Sequence, residues 1–205
     1  TKSLTETVLA RPDVRFVLTH KNREIFSLPA VRTLKERIFQ LFGRKTSDSL
    51  MDVDYEEGEH RISGFASRPP SGRGDRAHQY FFINARPVKD RTVQAALTQA
   101  FRGFLEKDRY PECFLFLEVP FGEVDVNVHP AKSEVRFRDS SAIFHLVRRG
   151  VEVSVLSSQG IKDIRIPQAM EPEGYWIRDK KKPLSSQAPG QVSGPEPPSS
   201  VHESP

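Results

Sequence analysis

VDVNVHPAKSEVRF, residues 124–137, joins two alternating stretches through an abrupt turn. Val124, Val126 and Val128 alternate with Asp125 and Asn127, which gives a strand with one dry face and one polar face. His129 and Pro130 then redirect the chain, because proline fixes its own φ and keeps the preceding residue out of the helical region. Lys132 projects from the loop that follows, and residues 134–138 alternate again, with Val135 and Phe137 on one side. A lysine on a short, fixed loop can act as a point charge for a terminal phosphate. An exposed lysine can equally do no more than solubilise a surface. His129 reads as a turn residue, since no carboxylate or cysteine sits beside it at metal-ligand spacing.

Outward from this stretch, Asp139 or Ser140 caps a final helix running to about Leu156. Upstream, residues 114–119 are apolar apart from Glu118 and read as a central strand. Residues 91–105 carry the clearest helical pattern, with Val93, Ala96, Leu97, Ala100, Phe101, Phe104 and Leu105 on one face and Asp90 as N-cap. Residues 79–84 form another strand, and Asn84 and Arg86 flank what reads as a strand-to-helix connection fixed by Pro87. Residues 67–78, SRPPSGRGDRAH, form a loop. Strands are expected at residues 50–53 and 61–66, a helix at 31–42 stopped by Gly43, and a hairpin at 13–28 turning at residues 20–23.

Composition narrows the function. The 205 residues include one cysteine, Cys113, which excludes an internal disulfide framework and reads as a small core residue in a reducing compartment. No apolar run reaches the roughly 18 residues of a membrane span. Residues 1–166 hold 27 Lys+Arg against 22 Asp+Glu, while residues 167–205 hold 4 against 5, so the excess base lies in the patterned part. Half of the 16 prolines fall in those last 39 residues, which read as a flexible linker. The chain opens without methionine and in mid-pattern, as an excised piece would.

Six basic residues fall within one short stretch: Arg68, Arg73, Arg76, Arg86, Lys89 and Arg91, opposed there only by Asp75 and Asp90. Gly72 and Gly74 let the backbone approach a polyanion, and arginines bind phosphates bidentately. A salt-sensitive DNA-backbone contact surface is one reading, and an ordinary solvated loop is the other. Arg86 beside a helix start could share a phosphate with that helix end.

Taken in order and spacing, FFINARPVKD, the amphipathic helix, RYPECFLFLEVP and VDVNVHPAKSEVRF resemble the MutL family of DNA mismatch repair proteins. LKERIFQLFG and ISGFASRP resemble it too, and HPAK is similar to bacterial members. The resemblance implies an α+β fold, a ribosomal protein S5 domain 2-like two-layer sandwich with a mixed sheet packed by helices, and a disordered C-terminal tail. It implies residues 1–10 as a remnant of an upstream GHKL ATPase domain, 11–160 as the transducer domain and 161–205 as linker. Lys132 would then contact the ATP γ-phosphate in a site completed upstream, with ATP and Mg bound only in the intact protein and no cofactor in this piece. The DNA-binding set would be Arg68, Arg73, Arg76, Arg86, Lys89 and Arg91. The implied partners are DNA, a second MutL and a MutS-type mismatch-recognition protein, with no membrane, in the bacterial cytoplasm. No ATPase or endonuclease motif stands in this chain, so it is not expected to be an enzyme by itself. The alternative is an interaction or dimerisation scaffold from another GHKL-type protein. One departure from the family is Ala85 where glycine is frequent, NARP for NGRP.

Overall fold

A computed structural model describes residues 2–125 and 135–161 of the chain. The chain divides into two units, residues 1–165 and 166–205, and every described residue belongs to the first.

The centre is a five-stranded sheet in the order β3-β4-β7-β5-β6. Its strands are β3 (Leu50–Glu57), β4 (His60–Ser67), β5 (Gln79–Ile83), β6 (Arg86–Val88) and β7 (Cys113–Glu118). All neighbours pair antiparallel except β5 and β7, which run parallel from Gln79 opposite Cys113 to Ile83 opposite Leu117. A parallel pair needs a long crossover. Here it contains β6 and helix α3 (Arg91–Ala100). β7 holds the middle position that its unbroken apolar run predicts.

One face of the sheet packs on α3 and on α4 (Ser140–Ser158), forming the two-layer sandwich. Ile62, Phe81, Leu115 and Leu117 meet Val93, Leu97, Leu146 and Val151 there, all buried. Both helices begin at predicted caps: Asp90 accepts from the Val93 amide, and Asp139 from the amides of Ser141 and Ala142. Gly150 lets α4 sit close to the sheet, since a Cβ at that position would come within 2.6 Å of Ile62 Cγ2.

The opposite face carries Tyr80, Phe82, Phe114 and Phe116, with Tyr80 stacked on Phe114 and Phe82 on Phe116. Helices α1 (Lys2–Ala10) and α2 (Leu34–Asp48) supply Leu9 and Ile38 to this second apolar cluster. Residues 2–10 are thus a helix packed on this unit, a feature their sequence pattern did not announce. Gly43 does not end α2. At φ 81° and ψ 175° it kinks the helix, which resumes to Asp48. The predicted hairpin is present as β1 (Phe16–His20) and β2 (Arg23–Leu28), turning at Lys21 and Asn22, both at positive φ. Buried Arg37 of α2 anchors the chain that leads into it, donating to the carbonyls of Pro12 (2.7 Å) and Val14 (2.6 Å).

Two expectations change. Residues 82–88 are not a strand-to-helix connection: β5 turns back at Asn84 and Ala85 into β6, so Arg86 lies in an edge strand, away from any helix start. Proline is tolerated there because an edge strand can spare an N–H. The helix expected to reach residue 105 ends at Ala100, and Gly103 at φ 86° lies in the turns beyond it. Among the described residues, no helix is long and apolar enough to cross a membrane.

Candidate nucleic-acid interface

Residues 67–78 run from the end of β4 to the start of β5, along the sheet end where β5 and β7 begin. The loop is pinned there by a segment remote in sequence, residues 109–113. Arg73 and Tyr110 exchange both backbone hydrogen bonds at 2.8 Å. Ser67 and Glu112 are likewise joined twice, the Ser67 amide donating to the Glu112 carbonyl at 2.8 Å and the Glu112 amide to Ser67 Oγ at 3.2 Å. Gly72 fits against Arg109 and Tyr110, where a Cβ would meet Arg109 Cβ and the Tyr110 carbonyl at 3.3 Å.

The side chains divide into two sets. Nearly buried Glu112 pairs with His78, and its Oε1 lies 3.7 Å from Arg73 Nη1. Arg73 Nε also donates to Asp75 at 3.3 Å. The Asp75 carboxyl is held below the usual carboxylate range, first by the Ala77 amide and then by Arg73. Arg76 instead lies over the Tyr110 ring, its guanidinium carbon 4.5 Å from the ring centroid. Arg68 and Arg76 are exposed, and the Arg68 amide is tied to the Ser49 carbonyl at 2.8 Å.

The remaining basic candidates lie elsewhere. Arg86 pairs with Ile83, at the far end of β5 and about 13 Å along the strand from Gln79. Asn84 holds that end, with Nδ2 donating to the Val119 carbonyl (2.9 Å) and Oδ1 accepting from its amide (3.0 Å). Lys89 follows Val88, whose partner Phe81 is midway along β5, and exposed Arg91 opens α3. The six residues grouped by sequence therefore occupy a clamped loop at one sheet end and a line running back from the other.

Lys132, His129 and Pro130 lie outside the described residues, as do the expected strand beyond Asp125 and the linker from residue 162. Their described flanks are β8 (Val124–Asp125) and β9 (Arg136–Phe137), an antiparallel pair. This pair adjoins the 3-10 turn Phe121–Glu123, where Glu123 reaches His60 at 2.8 Å.

Sequence reading missed Arg109, Tyr110 and Glu112 as members of the loop site. They stand in RYPEC, which is visible as a polar lead-in to a buried strand, but their pairing with residues 67–78 is non-local and leaves no periodic signal.

The sequence model of the family "DNA mismatch repair protein, C-terminal domain" matches residues 38–156. DNA mismatch repair protein MutL of Geotalea daltonii is 40% identical over 160 residues, which cover 78% of this chain and 26% of that protein. MutL of Sphingopyxis alaskensis is 42% identical over 159 residues, 78% of this chain and 26% of its own length. The chain thus spans about a quarter of the length of the curated relatives it matches. In fold it is similar to a crystal structure of the N-terminal domain of a DNA repair protein, with TM-score 0.65, 21% identity, 77% of this chain and 53% of that chain covered. By sequence, the chain belongs to the MutL family of DNA mismatch repair proteins, in which it forms the S5-like transducer domain.

Proposed function

We propose that this chain gives a mismatch repair protein a DNA-backbone contact surface and lends Lys132 to the ATP site of an adjacent GHKL ATPase domain. The observation that carries the DNA part is the clamped loop, which holds exposed Arg68 and Arg76 at one end of the sheet on a fixed support. Contacts of this kind are sequence-independent and weaken steeply with salt. Lys132 would bring a positive charge to the γ-phosphate of ATP, bound with Mg in the intact protein. Neither ATP hydrolysis nor DNA cleavage is assigned to this chain alone. In the intact protein the partners would be DNA, a second copy and a MutS-type protein, in the bacterial cytoplasm.

The test has two arms. Anisotropy of a fluorescent DNA duplex, titrated with the chain over a range of salt, should show binding that weakens and loses salt slope in the variant R68E/R86E. An unchanged slope sinks the DNA reading. In the intact protein, K132A should lower ATP hydrolysis and ATP-driven dimerisation, and unchanged values sink the lysine's role.

The second reading, an interaction scaffold without direct DNA contact, is favoured by the hairpin. Val17, Leu18 and Ile25 are each exposed on it, apolar side chains that a protein partner could cover.

A further inference from the structure

The loop's arginines are not equivalent. Arg73 directs Nε to Asp75 and Nη1 toward Glu112. Arg76 has its guanidinium carbon over the Tyr110 ring and makes no side-chain hydrogen bond among the described residues. A guanidinium held over a ring, with no side-chain hydrogen bond of its own, keeps its donor fork for an acceptor such as phosphate, which it can bind bidentately. Tyr110 is itself fixed through both backbone hydrogen bonds to Arg73.

We infer that, of Arg73 and Arg76, it is Arg76 that contacts the phosphodiester backbone of duplex DNA, that Tyr110 positions it, and that Arg73 is a brace. The inference rests on the reading of this loop as a DNA contact and assigns roles within it. A free arginine must give up rotamer entropy when it grips a phosphate, and one already held on a ring gives up less. Charge count alone would make the two arginines interchangeable. The geometry separates them, because two of the donor nitrogens of Arg73 already face carboxylates, one of them nearly buried.

The test measures binding of the 205-residue chain to a fluorescent duplex of arbitrary sequence across a salt series, with thermal unfolding of each variant recorded alongside. R76A should weaken binding and flatten the slope of log K against log salt by about one unit. Tyr110→Leu keeps the charge and the backbone pairing, so it should weaken binding about two- to fivefold at nearly the parental slope. Tyr110→Phe keeps the ring and should restore parental affinity. R76K keeps the charge but loses the fork, and should resemble Tyr110→Leu. If R76A weakens binding while Tyr110→Leu matches the parent, the positioning role is overturned and the DNA reading stands. If R73A lowers the slope as R76A does, without loss of thermal stability, the division of roles is overturned. If the parent does not bind the duplex, both the DNA reading and this inference fail.

Discussion

Ala85 occupies a backbone region that favours glycine. The β5–β6 turn requires positive φ at both central positions, and Asn84 and Ala85 adopt 48° and 63°. Asparagine tolerates this region, whereas a Cβ at the second position is strained. A85G should raise stability by about 1 kcal/mol in chemical denaturation, the strain relieved outweighing the extra freedom of the unfolded glycine. Asp90 illustrates a second local conflict. It caps α3, but burial pushes its carboxyl above the ordinary value despite the amide hydrogen bond from Val93. A folded carboxyl with a raised pKa binds protons more readily than the unfolded one, so its contribution to stability falls as pH rises from the ordinary value through the folded value. D90N keeps an acceptor for the helix and removes that titration. Its melting temperature should match or exceed the parent's at neutral pH, and any advantage should shrink below the ordinary carboxyl pKa. An advantage that grows on acidification would contradict this. The Cys113 thiol is likewise pushed up by complete burial, as expected of a core residue with no reactive role.

Elements that bury one face in a regular period were legible from the sequence, and those built by non-local pairing were not. The capped apolar stripe of α4 and the unbroken run of β7 each carry their assignment in neighbouring residues. β6 was missed because three residues with a proline in the middle look like a linker, and only pairing with β5 makes them a strand. α3 was read too long because Phe101 is buried in the turn after the helix as fully as it would be within it, so burial continues where the helix does not. In the candidate site, the residue types and the loop were readable. Its division was not, because it depends on Tyr110 and Glu112, more than thirty residues away in sequence. Helix seating gives a sharper check. Gly150 faces Ile62 Cγ2 at 2.6 Å and Tyr55 Cβ at 3.0 Å from where a Cβ would stand. G150A should therefore lower stability by about 1–2 kcal/mol, with overpacking outweighing alanine's better helix propensity. A stabilised variant in urea titration would show that α4 can move.

Across the whole molecule, the clamped loop that carries Arg68 and the strand position of Arg86 lie toward opposite ends of β5. Groups this far apart, with no shared partner, contribute independently. The losses in log affinity for R68E and R86E should therefore add in the double variant, each with its own decrement in salt slope. A double variant no weaker than the worse single one would mean that a duplex engages only one group at a time. The strand order has another consequence, for synthesis. β7 lies between β4 and β5, yet it is made after both. As the chain leaves the ribosome, the hairpins β3–β4 and β5–β6 are complete while their inner edges have no neighbour, until the thirty residues from Val88 to Glu118 have followed. At about 5–20 residues per second this interval lasts roughly 2–6 s. Throughout it the inner edges of β4 and β5 stand unpaired, templates for wrong pairing that a chaperone would cover until the central strand arrives.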